Sequence, residues 1–153
     1  MAKKEEFPED FRYLVRISST DLDGKRSVAN ALTGIKGVHQ RLSRVIVKEA
    51  GVDKDARIGT LSDADIDKLQ QTVLRVAEFT PTWMRNRRRD PSTGADDHHI
   101  GTEIELVLRD DLNTLKKIRS WKGMRHERHL PVRGQRTKAN GRTGATVGVQ
   151  RKK

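Results

Sequence analysis

The sequence contains no cysteine, and this absence excludes several classes of protein at once. A disulfide framework, a thiolate zinc site, an iron–sulfur cluster and a cysteine nucleophile all require that residue. The chain also lacks any stretch near the ~20 consecutive apolar residues that span a bilayer, and its first ten residues contain no apolar run. We therefore expect a cytoplasmic protein that makes no contact with a membrane.

Apolar side chains are scarce as well. Only 33% of the 153 residues are hydrophobic and 4% are aromatic, whereas 35% are charged. This length is typical of a single domain, and this composition supports one modest core. Part of the chain should therefore lie outside its own core.

What the sequence has in excess is positive charge, and that charge is unevenly distributed. The formal net charge is +11. Residues 1–120 carry 22 Lys and Arg against 20 Asp and Glu, whereas residues 121–153 carry 10 against one acid, Glu127. The two parts therefore have net charges of +2 and +9, and the last 33 residues are the part that favours a polyanionic partner.

The end of the chain has the composition of a phosphate-binding tail. From residue 133 onward it mixes basic residues with glycine, threonine and asparagine and has almost no large apolar side chains. Such a segment cannot bury enough surface to offset its ordering entropy, so we expect it to order only against phosphates. A tail that merely improves solubility is the alternative. The candidate contacts are Arg133, Gln135, Arg136, Lys138, Arg142, Arg151, Lys152 and Lys153.

The hydrophobic pattern predicts a mainly α-helical protein. Alternating apolar residues predict a strand over 11–17 that ends in a turn at Asp23 and Gly24. Helical spacing recurs in four later segments, with Ser62 as the N-cap of the third and Gly51 as the C-terminal stop of the second. These segments are 25–35, 39–50, 62–80 and 103–121. A small hairpin between 83–88 and 100–104 is a further expectation.

The expected architecture is a small helical domain with a helix–hairpin–helix-like, or helix-two-turns-helix, motif, short strand and hairpin elements, and an extended basic C-terminal tail. Its boundaries are predicted from the changes in composition. We expect a flexible N-terminus at 1–10, a helical RNA-binding domain at 11–121 with an insertion at about 81–101, and a basic RNA-binding tail at 122–153.

The turn between the first two predicted helices is a candidate phosphate site. Gly34 and Gly37 allow close approach of a backbone, and the helix that follows offers unpaired N–H groups and the positive end of its dipole. Lys36, Arg41 and Arg44 add charge to the same region. This pattern resembles the helix–hairpin–helix class of nucleic-acid binders, although His39 stands where many members have glycine. The alternative is an ordinary pair of helices whose glycines only permit close packing.

Two further clusters of cations are candidates for RNA contact. Four arginines in five positions follow Trp83, and an extended segment could direct them to two phosphate backbones. The end of the last predicted helix is also basic, beyond what its dipole would explain. The residues concerned are Arg85, Arg87, Arg88, Arg89, Lys116, Lys117, Arg119, Lys122, Arg125, His126 and Arg128.

No pattern predicts an enzyme. His98 and His99 are the only histidine cluster, and adjacent side chains diverge in an extended segment, so no metal site is expected. The sequence contains no P-loop of nucleotide-hydrolysing enzymes, no Rossmann glycine fingerprint and no Gly-x-Ser-x-Gly nucleophile elbow. We expect no catalytic residue and no cofactor. Two alternatives stay open at this point: a free architectural DNA-binding protein, and a glycosylase or nuclease that shares the hairpin.

Two segments near the C-terminus carry a resemblance to a known family. Lys122-Gly123-Met124-Arg125-His126, followed by Leu130-Pro131-Val132-Arg133-Gly134-Gln135-Arg136-Thr137-Lys138, closely resembles the signature of the universal small-subunit ribosomal protein S-thirteen family. Segments 31–38 and 61–62 are similar to its helical hairpin and to the start of its next helix. The resemblance covers about 11–153, and segments 83–87 and 146–149 resemble the archaeal and eukaryotic branch.

The resemblance implies a set of partners that composition could not name. It implies binding to ribosomal RNA at the top of the small-subunit head, beside the nineteenth small-subunit protein. It implies bridges to large-subunit ribosomal RNA and the fifth large-subunit protein. It also implies that the tail, with Lys138, Arg142 and residues 151–153, lies near the peptidyl-site transfer RNA.

Overall fold

The computed structural model describes residues 11–138, and this part of the chain is mainly α-helical with one two-stranded sheet. In chain order its elements are β1 (Leu14–Ile17), β2 (Thr20–Asp23), α1 (Val28–Leu32), α2 (Gln40–Ala50), a 3₁₀ turn (Ile58–Thr60), α3 (Asp63–Leu74), α4 (Val76–Phe79), a second 3₁₀ turn (Thr82–Met84), α5 (Thr102–Lys117) and α6 (Trp121–Glu127). The mainly helical class with short strand elements is therefore confirmed. None of the helices within 11–138 is long and apolar enough to cross a membrane.

The predicted single strand is in fact an antiparallel hairpin. β1 pairs with β2 in the register Leu14–Asp23 to Ile17–Thr20. Ser18 and Ser19 form the connection at φ 48° and 59°, the left-handed conformation that two-residue hairpin turns require. The expected turn at Asp23 and Gly24 is present, but it ends β2, whereas β1 ends earlier, at Ile17. Serine rarely adopts a positive φ, so the earlier reversal at Ser18 and Ser19 does not follow from the residue types.

The core lies between the hairpin and the first four helices. Helical spacing correctly predicted the buried positions Leu32, Ile46, Leu69 and Val73, all with no exposed surface or nearly none. β1 contributes Val15 and Ile17, while its alternate residues face solvent. The predicted N-cap is also confirmed: the Ser62 side chain accepts a hydrogen bond from the Asp65 backbone N–H at the start of α3.

Two predictions about the second half of the chain were wrong. The expected hairpin between 83–88 and 100–104 is replaced by a loop with one bridge, between Arg87 and Asp97, because residues from Thr102 onward are helical. The expected helix over 103–121 ends at Lys117, and α6 begins separately at Trp121. Arg119, at φ 54°, interrupts the helical backbone between them.

The chain divides into two compact units, one ending at Glu105 and the other beginning at Leu106. The first unit holds the core. The second unit, as far as it is described, consists of most of α5, α6 and the following segment to Lys138, and its large apolar side chains are exposed, including Ile118 at 69% and Trp121 at 68%.

Candidate nucleic-acid interface

Between α1 and α2 the chain makes two successive tight turns. The Ile35 N–H donates to the Leu32 carbonyl at 3.1 Å, and the Val38 N–H donates to the Ile35 carbonyl at 3.0 Å. Ile35 and Val38 are both buried and fix the turns to the core. This is the predicted helix-two-turns-helix geometry.

The turns lead into the N-terminus of α2 with its first N–H groups available. His39 is the N-cap, and its side chain makes no capping hydrogen bond. Its φ of −108° is extended backbone that any residue adopts, so glycine is not required there. Lys36, Arg41 and Arg44 are all exposed around this end of the helix, and Lys36 forms an ion pair with Glu105. The arrangement presents N–H groups and cations together, which suits an anionic group.

Gly37 has a packing role that can be seen directly. Its φ is 92°, and a Cβ on this residue would lie 2.7 Å from the carbonyl oxygen of His99 and 3.0 Å from Ile104 Cδ1. The side of Gly37 where a side chain would project is therefore occupied by the protein itself. The packing alternative thus accounts for glycine at this position, and contact with phosphate stays a prediction for Gly34 and Gly37.

His98 connects the turn to the arginine-rich loop. Its Nε2 lies 3.1 Å from the Gly37 carbonyl oxygen, and its Nδ1 accepts a hydrogen bond from the Asn86 backbone N–H at 3.2 Å. The ring is therefore neutral and protonated on Nε2. Burial lowers the pKa of His98, partly offset by the Gly37 hydrogen bond. The Gly101 N–H also donates to the Lys36 carbonyl at 2.8 Å.

Asn86 supplies a second connection within the loop. Its side-chain nitrogen donates to the His99 carbonyl at 2.8 Å, and its side-chain oxygen accepts from the His99 N–H at 3.0 Å. Together with His98, this holds the loop against the turn. Neither role follows from the local sequence, because the partners of these side chains lie at least 12 positions away along the chain. Among residues 11–138 no cluster of three or more acidic, histidine or cysteine side chains could hold a metal ion.

The four arginines of the loop divide into two internal and two exposed residues. The Arg85 guanidinium donates to the Thr80 carbonyl at 3.0 and 3.1 Å and to the Asp96 carbonyl at 3.1 Å. Arg87 pairs with Asp90 at 2.7 Å, and both side chains are largely buried. The pKa of Asp90 is held well below its usual range by hydrogen bonds from Ser92 and Arg87. These arginines therefore stabilise the loop.

Arg88 and Arg89, in contrast to Arg85 and Arg87, have exposed side chains. Neither side chain forms an ion pair or hydrogen bond with any other residue of the described chain. Trp83 is 66% exposed one short turn earlier. The exposed pair provides cationic groups on a loop whose backbone is fixed from within.

In the second unit, α5 and α6 form a tight corner. Ser120 caps α6 by accepting from the Gly123 N–H at 3.1 Å, and its hydroxyl donates to the Leu115 carbonyl at 3.0 Å. A Cβ on Gly123 would lie 2.2 Å from the Leu115 carbonyl oxygen, so the corner can close only around glycine. Arg125 lies 5.7 Å from the centre of the Trp121 ring and donates to the Pro131 carbonyl.

The predicted basic residues of this unit are mostly at its surface. Arg125 and His126 are half-buried, whereas the remainder of the described set is exposed: Lys116, Lys117, Arg119, Lys122, Arg128, Arg133, Gln135, Arg136 and Lys138. The Gln135 side chain accepts from the Arg133 N–H at 3.0 Å. The predicted contacts Arg142, Arg151, Lys152 and Lys153 lie outside the described residues.

Comparison with known proteins identifies the family to which a chain with these basic surfaces is similar. The chain matches the family model described as ribosomal protein S13/S18 over residues 16–143, which include the turn, the arginine loop and the α5–α6 corner. It is 55% identical over 145 residues to small ribosomal subunit protein uS13 of Methanococcoides burtonii, covering 95% of this chain and 98% of the relative. The protein of the same name from Methanothermobacter thermautotrophicus is 51% identical over 146 residues, covering 95% and 98%.

A third relative, uS13 of Halobacterium salinarum, is 46% identical over 147 residues, covering 96% of this chain and 86% of the relative. The matches extend over nearly the whole chain and all three organisms are archaea, as the resemblance of segments 83–87 and 146–149 predicted. The chain belongs to the ribosomal protein S13/S18 family.

Proposed function

We propose that this protein binds small-subunit ribosomal RNA at the top of the head through three basic surfaces. They are the turn with the start of α2, the exposed pair Arg88 and Arg89, and the basic region from α5 to the tail. We further propose that it contributes to bridges with large-subunit ribosomal RNA and the fifth large-subunit protein, adjoins the nineteenth small-subunit protein, and extends its tail toward the peptidyl-site transfer RNA.

Membership of the family supplies the coarser statement. The chain is a structural constituent of the ribosome that acts in translation, and it is not an enzyme. It is a component of the cytoplasmic ribosome. The single observation that carries the finer proposal is the family match over 16–143, because that range contains every described basic surface.

The chemistry of these surfaces favours recognition of RNA shape over reading of bases. Their cations can donate to phosphate oxygens, which positions a protein on RNA without selecting sequence. Few aromatic side chains are available to stack on bases, since aromatics make up 4% of the chain. The internal bonds of Arg85, Arg87 and His98 support the proposal in another way: they fix the loop before RNA arrives, which reduces the ordering entropy lost on binding.

Sedimentation of the tagged protein tests this function. An epitope-tagged chain expressed in an archaeal host such as Halobacterium salinarum should co-sediment with small subunits, at one copy per subunit, after DNase treatment. A protein that stays at the top of the gradient, or one that tracks DNA before DNase treatment, would contradict the proposal and favour a free DNA-binding protein.

Two matched double charge reversals test whether the arginine-rich loop contacts ribosomal RNA. Arg88→Glu with Arg89→Glu should reduce incorporation into subunits, because both side chains are exposed on the fixed loop. Lys68→Glu with Arg75→Glu makes the same change in charge at exposed positions outside the proposed surfaces and should incorporate normally. Equal incorporation of the two variants would remove the loop from the proposed interface.

A further inference from the structure

Three helices of this chain end in the same hydrogen-bond pattern, but not in the same type of residue. At the end of α2 the Gly51 N–H donates to the Lys48 carbonyl and the Val52 N–H donates to the Val47 carbonyl, each at 3.2 Å. Gly51 has a φ of 68°. This is the Schellman motif, in which the residue after the helix is left-handed and is usually glycine.

The two helices of the second unit repeat the motif with arginine and histidine in place of glycine. After α5 the Arg119 N–H donates to Lys116 at 2.9 Å and the Ser120 N–H donates to Leu115 at 3.2 Å, with Arg119 at φ 54°.

After α6 the His129 N–H donates to His126 at 3.2 Å and the Leu130 N–H donates to Arg125 at 2.9 Å, with His129 at φ 53°. Arg119 and His129 therefore occupy the position that glycine holds after α2. Their Cβ atoms make this conformation less favourable than it is for glycine.

Neither available space nor the helix dipole explains this choice. A Cβ at Gly51 would meet nothing within 4 Å, so there is room for a larger residue after α2 as well. The difference between glycine there and arginine or histidine after α5 and α6 is therefore not a matter of space. Cations at a helix C-terminus do complement its dipole. However, the last turns of α5 and α6 already contain two basic residues each. The last turn of α2 contains only one, Lys48, and yet α2 is followed by glycine.

Basic side chains also account for most of the left-handed residues other than glycine. Within 11–138, five residues other than glycine have a positive φ. Ser18 and Ser19 form the hairpin turn, and the other three are Arg89, Arg119 and His129, all able to carry positive charge. The side chains of these three are exposed, and those of Arg119 and His129 form no ion pair or hydrogen bond with the rest of the described chain.

We propose that Arg119 and His129 are phosphate-binding side chains, each held in a left-handed Schellman position that lowers the stability of the free chain and presents the side chain to RNA. Two backbone hydrogen bonds fix each Cα, so the side chain is positioned before binding. Residues in such unfavourable conformations concentrate at binding sites, because the surrounding structure must maintain them for a reason other than stability. This inference rests on the RNA-binding function proposed above.

Glycine substitutions separate stability from binding. The full chain carrying Arg119→Gly, His129→Gly or both should unfold at a higher urea concentration than the wild type, because glycine removes the conformational penalty. In the same variants, affinity for full-length small-subunit ribosomal RNA transcribed in vitro should fall, by roughly tenfold for Arg119→Gly, as expected for loss of a charge-assisted hydrogen bond. For Arg119→Gly the slope of log affinity against log salt should become shallower by about 0.7 to 0.9.

Gly51→Arg is the matched control. It places an arginine in the same motif after α2, so it should lower the urea midpoint and leave RNA affinity unchanged. Glycine variants that are more stable yet bind RNA with wild-type affinity and slope would overturn the inference while leaving the proposed function intact. Glycine variants that are less stable would also overturn it, since Arg119 and His129 would then stabilise the fold. A wild-type chain that binds ribosomal RNA no more tightly than an unrelated transcript of equal length would instead refute the proposed function.

Discussion

At the scale of single residues, His98 and Gly37 decide how the proposed RNA surface is assembled. They are 61 positions apart in the chain, and a side-chain to backbone contact of 3.1 Å joins them. Because His98 bonds to the Gly37 carbonyl, the turn and the arginine-rich loop hold each other in position. The glycine motif predicted the turn, but nothing in the local sequence predicted the partner.

Alanine substitutions at two glycines measure the packing role of Gly37. Gly37 and Gly51 both have a positive φ, but only at Gly37 would a Cβ collide, at 2.7 Å from the His99 carbonyl oxygen. We expect Gly51→Ala to lower the free energy of unfolding by about 1 kcal/mol from conformation alone. Gly37→Ala should lower it by about 2 to 4 kcal/mol, because the clash adds to the same conformational cost. Urea unfolding of both variants checks the difference, and equal losses would contradict the assigned contact.

The buried histidine predicts a dependence of stability on pH. Burial lowers the pKa of His98 below 6.5 in the folded protein, with Asp97, His99 and Arg85 as its charged neighbours. The unfolded chain therefore takes up this proton first as the pH falls. The contribution to stability is complete above about pH 6.5 and is lost as the pH falls through the folded pKa.

Replacement of the ring isolates this effect. His98→Gln should flatten the dependence of the unfolding free energy on pH between about 5 and 7, since the titrating group is gone. Guanidinium unfolding at several pH values provides the measurement, and identical slopes for the wild type and His98→Gln would exclude the role of this histidine.

At the scale of secondary-structure elements, capping signals were the most informative part of the sequence. Ser62 and Gly51 fixed the start of α3 and the end of α2 because each acts through hydrogen bonds to near neighbours. The break between α5 and α6 does not follow from the sequence, since an arginine such as Arg119 gives no indication of a left-handed backbone. The apolar spacing continues through the break, from Leu115 to Ile118 and Trp121. Periodicity alone therefore predicted one helix where there are two.

The α5–α6 corner gives a prediction for Gly123. Alanine is intrinsically better than glycine within a helix by about 1 kcal/mol, but here its Cβ would lie 2.2 Å from the Leu115 carbonyl oxygen. The backbone of the corner must move, so Gly123→Ala should open it. Hydrogen exchange of the Ser120 amide, which donates to Leu115, should become at least about tenfold faster. Asn113→Ala, at an exposed position of α5, is the control and should leave that exchange unchanged.

At the scale of the whole molecule, the net charge of +11 divides into +2 over residues 1–120 and +9 over residues 121–153. The sequence was sufficient for the helical class, for the core positions of α2 and α3 and for the family. It could not distinguish the arginines that stabilise the loop from those that face solvent. That distinction depends on where Thr80, Asp90 and Asp96 come to lie, and these contacts form only in the folded chain.

The scarcity of apolar residues also has an explanation at this scale. The described part of the second unit buries little apolar surface of its own and presents most of its cations to solvent. In our account its order in the ribosome derives largely from RNA. The tail extends this principle, since its basic residues are spaced among glycines and small polar residues.

The salt dependence of binding tests this account most directly. Affinity for small-subunit ribosomal RNA is measured across salt concentrations for the full chain and for a chain that ends before Arg133, with circular dichroism to verify that the helical part stays folded. If the tail makes six phosphate contacts on single-stranded-like RNA, removing it should flatten the log–log slope by about 4, from a factor of roughly 0.7 per contact. A folded, truncated protein with the slope of the full chain would contradict the account.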